Sequence, residues 1–446
     1  MTPTPPQPGP SLNHRILQLA LPSLGALVAQ PLFVLVDSAF VARVGTVSLA
    51  GLGLASVVLT TVVALSVFLA YSTTASVARA FGAGRIRDAV ARGVDACWLG
   101  LGIGAGALLV LLATGDPLLR LFGPGPDVLR EARVYLLISA VGLPAMLATQ
   151  AATGLVRGLQ KATIPLIVAG IGAALNVPLN ALLIFGLNLG IVGSAIGTVL
   201  CEWGMALALL TVVARGARRH GVGLRPKLAT ISSAGRESVP MFVRAVSLRV
   251  VALVGTWAAT GLGEVQLAAH QLALTVFSLF ALALDALAIA GQALTGSYLG
   301  AADATSVRQV TSRLITWGVA AGCITSVILL GLAYAAPSLF SPDPAVQENL
   351  QVALWVLAVC QPVAGYVFVL DGVLMGAGDA PYLARAVLVT MVVVLPFAIA
   401  VGFLQPPGLW GLAAVWITCT LLFLVGRAVS LWLRVRGDAW MRLGDA

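Results

Sequence analysis

The sequence predicts an all-α polytopic membrane protein with twelve transmembrane helices in two six-helix lobes, related by a pseudo-two-fold along the membrane normal. Three observations lead to this prediction. Of the 446 residues, 59% are hydrophobic and only 10% are charged, whereas soluble domains carry about 25% charged residues. Apolar stretches of spanning length recur from end to end, and the second half of the chain repeats the first.

The apolar stretches define twelve predicted spans separated by short links. Each is close to or above the roughly 20 residues that cross a bilayer as a helix, whereas a β-barrel would show short alternating segments. The spans are 16–42, 49–78, 94–114, 134–156, 163–187, 190–214, 240–260, 267–296, 313–335, 350–374, 384–404 and 408–433.

The basic residues predict how the chain is oriented. Links after even-numbered spans are rich in Lys and Arg, the longest being 215–236, while links after odd-numbered spans are poor in them, except for 115–133. The positive-inside rule then places both termini in the cytoplasm of a multi-pass protein of the inner (plasma) membrane. The net charge of +9 therefore reflects topology, and no nucleic-acid partner is expected.

The spans and the basic link divide the chain into five predicted parts. Two of them are lobes, and the other three are cytoplasmic. They are a disordered tail (1–15), an N-lobe (16–214), a basic linker (215–239), a C-lobe (240–433) and a C-terminal tail (434–446).

The two lobes are repeats displaced by 218 positions, and their glycines and prolines coincide without a gap. Six helices per repeat is an even number, so both lobes have the same orientation, and parallel repeats of this kind build alternating-access transporters. Coincident pairs include Pro22 and Pro240, Gly82 and Gly300, Pro144 and Pro362, and Gly190 and Gly408.

The first span carries an acid, Asp37, together with a proline, Pro22. A carboxylate at the centre of a membrane helix costs roughly 2.5–3.5 kcal/mol, so it persists where it faces a polar cavity or a partner. Its counterpart in the repeat is Gly255, so the acid is not needed by the common scaffold. We interpret Asp37 as a coupling carboxylate; the alternative is a helix-end aspartate at headgroup level near Arg43.

Span five adds two amides around a proline. Asn176 and Asn180 are four residues apart and share one helix face. Pro178 lies between them and frees the carbonyl of Ala174, which predicts a bend and a spare acceptor. The amides could complete an oxygen site for a small hard cation or a proton-accepting network; the alternative is that they only hold helices together.

Span six carries Ser194, Thr198 and Glu202 on one stripe, at spacings of four residues. For Ser194 we favour hydrogen bonding between helices, which is worth about 0.6 kcal/mol in membranes. Glu202 is either a second carboxylate in the cation pathway or an interface residue.

The C-lobe has a charged cluster of its own. Its members are Arg244, Arg249, Asp285 and Asp371. Charges inside membranes are usually paired, so salt bridges within the lobe are the favoured interpretation and substrate contact is the alternative. The five cysteines form no close pair, and the three histidines lie far apart. We therefore expect no disulfide, no metal centre, no cofactor and no membrane-embedded enzyme.

Taken together, these features resemble the multidrug and toxic compound extrusion (MATE) transporters. The resemblance rests on twelve spans in two ungapped repeats, on Asp37 in the first helix and on the pattern Asn176–Asn180–Thr198. The runs ALDALAIAGQALTGSYLGA (283–301) and VLDGVLMGAGDAPYLA (369–384) are similar to the DinF-like branch.

The resemblance implies cation-driven export, with substrate in a cavity between the lobes. The position matching Asp37 binds a proton or a cation in the family, those matching Asn176 and Thr198 help to form its site, and Pro22 matches a proline where the first helix bends. Many relatives have a second aspartate in place of Asn180. One carboxylate fewer favours H⁺ over Na⁺, although Glu202 could compensate and keeps Na⁺ open.

We therefore expect a monomeric cation-coupled antiporter, H⁺ favoured and Na⁺ the alternative, that exports drug-like organic cations or amphipathic compounds. Its partners would be a small-molecule substrate, the coupling ion and membrane lipid. The alternative on a related scaffold is a flippase of lipid-linked precursors. Such a flippase would need a strongly cationic central cavity, for which Arg244 and Arg249 are the only indications.

Overall fold

The computed structural model describes residues 11–335 and 337–444, with only the backbone of 228–233. The described part of the chain contains eleven helices that are long and apolar enough to cross a membrane, and a bent pair that makes a twelfth span. The chain is thus an all-α multi-pass membrane protein, as predicted. The spans are α1 (Leu12–Ala42), α2 (Thr46–Gly82), α3 (Ile86–Arg120), α4 (Pro126–Ala140 with Leu143–Gly158), α5 (Thr163–Gly186), α6 (Gly190–Arg219), α7 (Leu228–Leu262), α8 (Glu264–Gly300), α9 (Ala304–Ala335), α10 (Pro344–Gly376), α11 (Ala380–Leu404) and α12 (Leu409–Val435).

Several helices extend beyond the predicted spans. Helix α1 begins at Leu12, where the Ser11 hydroxyl accepts a hydrogen bond from the backbone N–H of His14. The predicted tail 1–15 is therefore too long, and its residues 1–10 lie outside the described residues. Likewise, α6 runs to Arg219 and α7 starts at Leu228, so only 220–227 of the predicted linker 215–239 are not helical. Hydropathy predicts only the part of each helix that lies within the membrane. The helices themselves continue beyond it through polar residues, so the predicted spans are shorter than the helices.

Helix irregularities lie near prolines in the N-lobe. The two halves of α4 meet at 47°, just before Pro144. In α5 the α-helix ends at Asn180, two residues after Pro178, and continues as a π-helical turn over Ala181–Gly186. Such turns typically occur where the regular hydrogen-bond ladder is interrupted. Helix α1 is continuous through Pro22, so the bending role of that residue remains a prediction.

Glycines bring neighbouring helices into backbone contact at equivalent places in both lobes. A Cβ at Gly100 in α3 would lie 2.7 Å from the carbonyl oxygen of Leu147 in α4. The equivalent Gly318 in α9 would place its Cβ 2.5 Å from the oxygen of Gly365 in α10, the residue equivalent to Leu147. Small residues permit this approach in membranes, where close packing drives helix association. The two lobes thus share backbone shape as well as sequence pattern.

The lobes themselves meet at a symmetric glycine crossing between α2 and α8, which we call the seal. A Cβ at Gly82 would overlap the carbonyl oxygen of Ser297, and a Cβ at Gly300 would overlap that of Arg79. Gly82 is equivalent to Gly300 and Arg79 to Ser297 in the repeat, so each lobe makes the same contact with the other. The pseudo-two-fold axis therefore passes through the seal.

Both described chain ends pack at the seal. Near the N-terminus, Arg15 donates a 2.5 Å hydrogen bond to the Tyr298 hydroxyl in α8. The last described residues pack against the seal, where the backbone N–H of Gly444 donates a hydrogen bond to the carbonyl oxygen of Leu299 in α8 at 2.9 Å. Arg79 Nε donates to Gly444 O at 3.0 Å, and its Nη2 donates to Arg442 O. The end of the bundle that carries both termini is thereby closed.

The crossing leads to a prediction for Gly300→Ala. The added methyl must displace backbone atoms of α2, and overpacking of this kind costs about 1–3 kcal/mol of unfolding free energy. The control is Gly331→Ala in α9, where a Cβ would meet no heavy atom within 4 Å. Thermal unfolding in detergent should show a lower midpoint for Gly300→Ala only; equal midpoints for the two variants would contradict the tight crossing.

Candidate functional site

The N-lobe site is built around the carboxylate of Asp37, which α1 carries into the interior of the lobe. The residue is only 4% exposed. Asn180 Nδ2 in α5 donates to Oδ1 of Asp37 at 2.5 Å, and Thr198 Oγ1 in α6 donates to Oδ2 at 2.8 Å. The structure thus brings together three residues that are far apart in the sequence.

The amide face of α5 is continuous, as the four-residue spacing indicates. Asn180 Nδ2 also donates to Asn176 Oδ1 at 3.0 Å, and both asparagines are fully buried. Gly197 in α6 gives the Asn180 amide its room, since a Cβ there would lie 2.6 Å from Asn180 Oδ1. Asn176 is therefore linked to Asp37 through Asn180.

In the part of the chain that the structure describes, only neutral groups hydrogen-bond to the Asp37 carboxylate. Within residues 11–335 and 337–444, no ion pair includes Asp37. Two further polar atoms, Asn176 Nδ2 and Asn180 Oδ1, are buried without a hydrogen-bond partner. A buried carboxylate without a cationic partner is costly unless it binds a proton or a cation. The site is therefore suited to reversible cation uptake.

Ser194 and Glu202 flank Thr198 on α6, and neither hydrogen-bonds to Asp37. The Ser194 hydroxyl is buried close to Tyr135 of α4, and its predicted hydrogen bond between helices stays a prediction. Glu202 is buried near Gly142, at the bend of α4, and interacts electrostatically with Asp37. A second acid is thus present in the N-lobe, outside the hydrogen-bonded site.

One residue of the site was missed by sequence reasoning. Tyr135 in the first half of α4 is 4% exposed, and its side chain lies close to those of Thr198 and Ser194. Nothing in its spacing distinguishes it from other apolar residues of an amphipathic helix. Only the packing of α4 against α6 reveals its position.

The C-lobe charges are arranged differently from the predicted four-residue cluster. Asp371 Oδ2 in α10 accepts a hydrogen bond from Arg244 Nη2 in α7 at 2.6 Å and another from Arg427 Nη2 in α12. Sequence reasoning missed Arg427. Arg249 instead donates to the Thr61 hydroxyl of α2 at 3.2 Å, across the two lobes. In the described structure Asp285 has no ion-pair partner.

A central cavity lies between the lobes, next to this C-lobe cluster. Its volume is about 460 Å³, which is in the range of sites for small organic ligands. Its wall includes Tyr71 of α2 and Asp285 of α8, so both lobes contribute to it. It is separate from the Asp37 site.

Two parallel six-helix repeats around a central cavity define the two-lobed class of membrane transporters. The model of one family, MatE, matches the chain twice, over residues 22–182 and 240–400. The second match starts 218 residues after the first, which confirms the displacement of the repeat. The chain belongs to the MATE family, the multidrug efflux transporters that its sequence resembles.

Individual proteins agree with this assignment. The chain is 29% identical to the DNA damage-inducible protein F of Escherichia coli over 94% of this chain and 91% of that protein. It is 30% identical to the probable multidrug resistance protein NorM of Pseudomonas putida, over 77% of each. A crystal structure of MATE in the bent conformation superposes with a TM-score of 0.88 at 22% identity, covering 97% of this chain and 96% of that chain. This last likeness concerns the fold.

The contact between Gly197 and Asn180 can be tested with Gly197→Ala. We expect the methyl to push the Asn180 amide away from Asp37 and to lower efflux about tenfold, because a hydrogen bond to a charged group is worth about 1.5–3 kcal/mol. Gly204→Ala on the same helix is the control, since a Cβ there meets nothing within 4 Å. Dye efflux from vesicles with matched protein amounts is the measurement; equal efflux by both variants would contradict this role.

Proposed function

We propose that this protein is a proton-coupled antiporter that exports drug-like organic cations or amphipathic compounds by alternating access. The observation that carries the proposal is the buried Asp37 carboxylate, which only neutral donors hold. Such a group can be neutralised by an incoming cation without breaking an ion pair. Its burial in one lobe, away from the central cavity, allows coupling ion and substrate to bind at different places.

The number of carboxylates at the Asp37 site favours a proton over Na⁺. Asp37 is the acid that accepts the hydrogen bonds of Asn180 and Thr198, and the second acid, Glu202, makes no hydrogen bond with Asp37 in the described structure. One carboxylate must then carry the whole charge of the ion. Na⁺ remains the alternative at this position, with Glu202 as the residue that would turn inward.

Neutralisation of Asp37 would change how α1 packs. Hydrogen bonds to a charged acceptor are about twice as strong as neutral ones, so proton uptake weakens the hold of Asn180 and Thr198 on α1. Helix α1 can then bend differently at its prolines and disfavour the substrate-holding state. Release of the proton to the cytoplasm restores the hydrogen bonds from Asn180 and Thr198 to Asp37 and completes the transport cycle.

The orientation of the chain follows from its basic links. We place both termini, and hence the seal, on the cytoplasmic side of the inner (plasma) membrane, with 115–133 outside. The closed end of the bundle then faces the cytoplasm, as expected for an outward-facing state. The lobes 16–214 and 240–433 are the moving bodies, in a monomer that contacts membrane lipid.

A flippase of lipid-linked precursors is the second candidate. Sequence analysis identified two arginines, Arg244 and Arg249, that could give a flippase its cationic cavity. In the structure Arg427 lines the central cavity together with both of them. Among the described residues Asp37 has no cationic partner, and this favours the antiporter.

For the antiporter we expect a pH gradient alone to drive dye export by reconstituted protein, and Asp37→Asn to reduce it to background. The amide of Asn cannot take up the proton. The control is Asp127→Asn, an exposed acid at the start of α4. Efflux from proteoliposomes with pH and Na⁺ gradients imposed separately is the measurement.

Strict dependence on Na⁺ in the unmodified protein would refute proton coupling. A second variant tests whether an added carboxylate shifts the preference from H⁺ toward Na⁺. Asn180→Asp supplies a second carboxylate beside Asp37 and should raise the sensitivity of export to Na⁺. No change in this variant would argue against the charge-count reasoning.

The orientation can be tested by labelling Gly223→Cys and Gly125→Cys in a background without the five native cysteines. Both positions are exposed, and neither glycine needs a positive φ. A membrane-impermeant thiol reagent applied to whole cells should modify Cys at 125 and spare Cys at 223. Modification of both positions, or of position 223 alone, would exclude this topology.

A further inference from the structure

The central cavity combines an apolar wall with an unusual set of charges. The apolar part includes four phenylalanines and two methionines. They are Phe68, Phe277, Phe368, Phe423, Met241 and Met375. A wall of this kind accepts the hydrophobic body of an organic molecule. The charged side chains then decide which polar group that molecule carries.

Positive charge exceeds negative charge around this cavity. Three guanidinium groups line it, those of Arg244, Arg249 and Arg427, against two carboxylates, those of Asp285 and Asp371. A further guanidinium, that of Arg157 in α4, is buried and interacts electrostatically with Asp285. Charges inside membranes require partners, so an excess of arginines favours an anionic ligand.

The arginine pair on Asp371 has unused hydrogen-bonding capacity. A single carboxylate oxygen, Oδ2, accepts from both Arg244 and Arg427. Within the described residues, the Nε atoms of both arginines and Oδ1 of Asp371 are buried without a hydrogen-bond partner, and Arg427 is 5% exposed. Two guanidiniums share the charge of one carboxylate and keep free donors. Arginine is the residue best suited to bind a carboxylate, phosphate or sulfonate through several donors at once.

We propose that the central cavity binds amphipathic organic anions, with the anionic group among Arg244, Arg249 and Arg427 and the apolar body against the aromatic wall. This proposal rests on the proposed function and narrows its substrate to one of the two classes considered. Arg249 is exposed and reaches across to Thr61, so it can contact an anion while linking the two lobes.

An anionic substrate changes the electrical balance of the transport cycle. One proton moving inward and one monovalent anion moving outward both carry positive charge inward. An inside-negative membrane potential therefore drives this exchange, whereas exchange of one proton for one monovalent cation moves no net charge. The class of substrate can thus be read from the dependence of transport on membrane potential.

The binding test uses two dyes built on the same xanthene ring, fluorescein as the anion and rhodamine 6G as the cation. Fluorescence anisotropy with purified full-length protein in a nonionic detergent should show tighter binding of fluorescein. Arg249→Gln should weaken it about tenfold, the effect of losing one charge-assisted hydrogen bond. Arg313→Gln, an exposed arginine of α9 outside the cavity, is the matched control.

Asp285→Asn tests the sign of the preference. Removing a negative charge from the wall should tighten fluorescein binding and weaken rhodamine 6G binding. Tighter binding of rhodamine 6G by the unmodified protein, with its loss in Asp285→Asn, would overturn the proposal and make this a cation site. The comparison of the two dyes in the unmodified protein needs no variant and holds even if a substitution impairs folding.

A transport measurement separates this proposal from proton coupling itself. Fluorescein efflux from oriented proteoliposomes under a pH gradient should accelerate when valinomycin and a K⁺ gradient impose an inside-negative potential. No acceleration would contradict anion export. Asp37→Asn should abolish efflux yet keep the dye preference in the binding test, so failure of coupling and failure of the anion site give different results.

Two sources of amphipathic anions are distinguished by competition. Dodecanoate represents a soluble amphipath, and a polyprenyl phosphate in nanodiscs represents a lipid-linked anion. Displacement of fluorescein by dodecanoate assigns the site to soluble compounds, and displacement by the polyprenyl phosphate assigns it to lipids. Displacement by neither would contradict the proposal.

Discussion

The glycine crossing between α2 and α8 is the contact on which the two-lobed arrangement depends. Gly82 and Gly300 each admit a backbone carbonyl of the opposite lobe, Ser297 O and Arg79 O, so the contact is the same from both sides. Because any Cβ there would overlap backbone atoms, the two helices can cross at this distance only with glycine at both positions. The fit between the lobes therefore depends on two residues that have no side chain beyond hydrogen.

The duplicated scaffold carries two different electrostatic solutions. In the N-lobe, Asp37 lies among neutral donors and no ion pair offsets its charge within the described structure. In the C-lobe, Asp371 is held by Arg244 and Arg427. The first arrangement leaves a buried carboxylate without an ion pair, whereas the second pairs a buried carboxylate with two guanidinium groups. The two halves thus share a backbone shape but differ in a few polar residues, and the Asp37 site lies apart from the central cavity.

The sequence predicts features that are properties of a segment, and it does not predict contacts between side chains on different helices. Hydropathy and the 218-residue displacement predict the helices and their repeat, because both are properties of long segments. The trio of Asp37, Asn180 and Thr198 was found because one helix face and a family resemblance pointed to it. Arg427 lies within the predicted span 408–433 but was not included in the charged cluster, and its contact with Asp371 is visible only in the structure. Ion-pair partners, unlike helices, are set by tertiary packing, and no local pattern encodes them.

Helix α1 is the element that connects the Asp37 site with the seal. Its first turns belong to the C-lobe core, where Ile16 and Leu19 share one hydrophobic cluster with Leu284 of α8. Its later turns carry Asp37 into the N-lobe, 22 residues beyond Arg15, or about 33 Å along a helix. A change in the hydrogen bonds of Asp37 must therefore be taken up by bending within α1 or transmitted to α8. Since α8 forms half of the seal, α1 gives the proposed proton coupling a direct physical connection from the Asp37 site to the contact between the lobes.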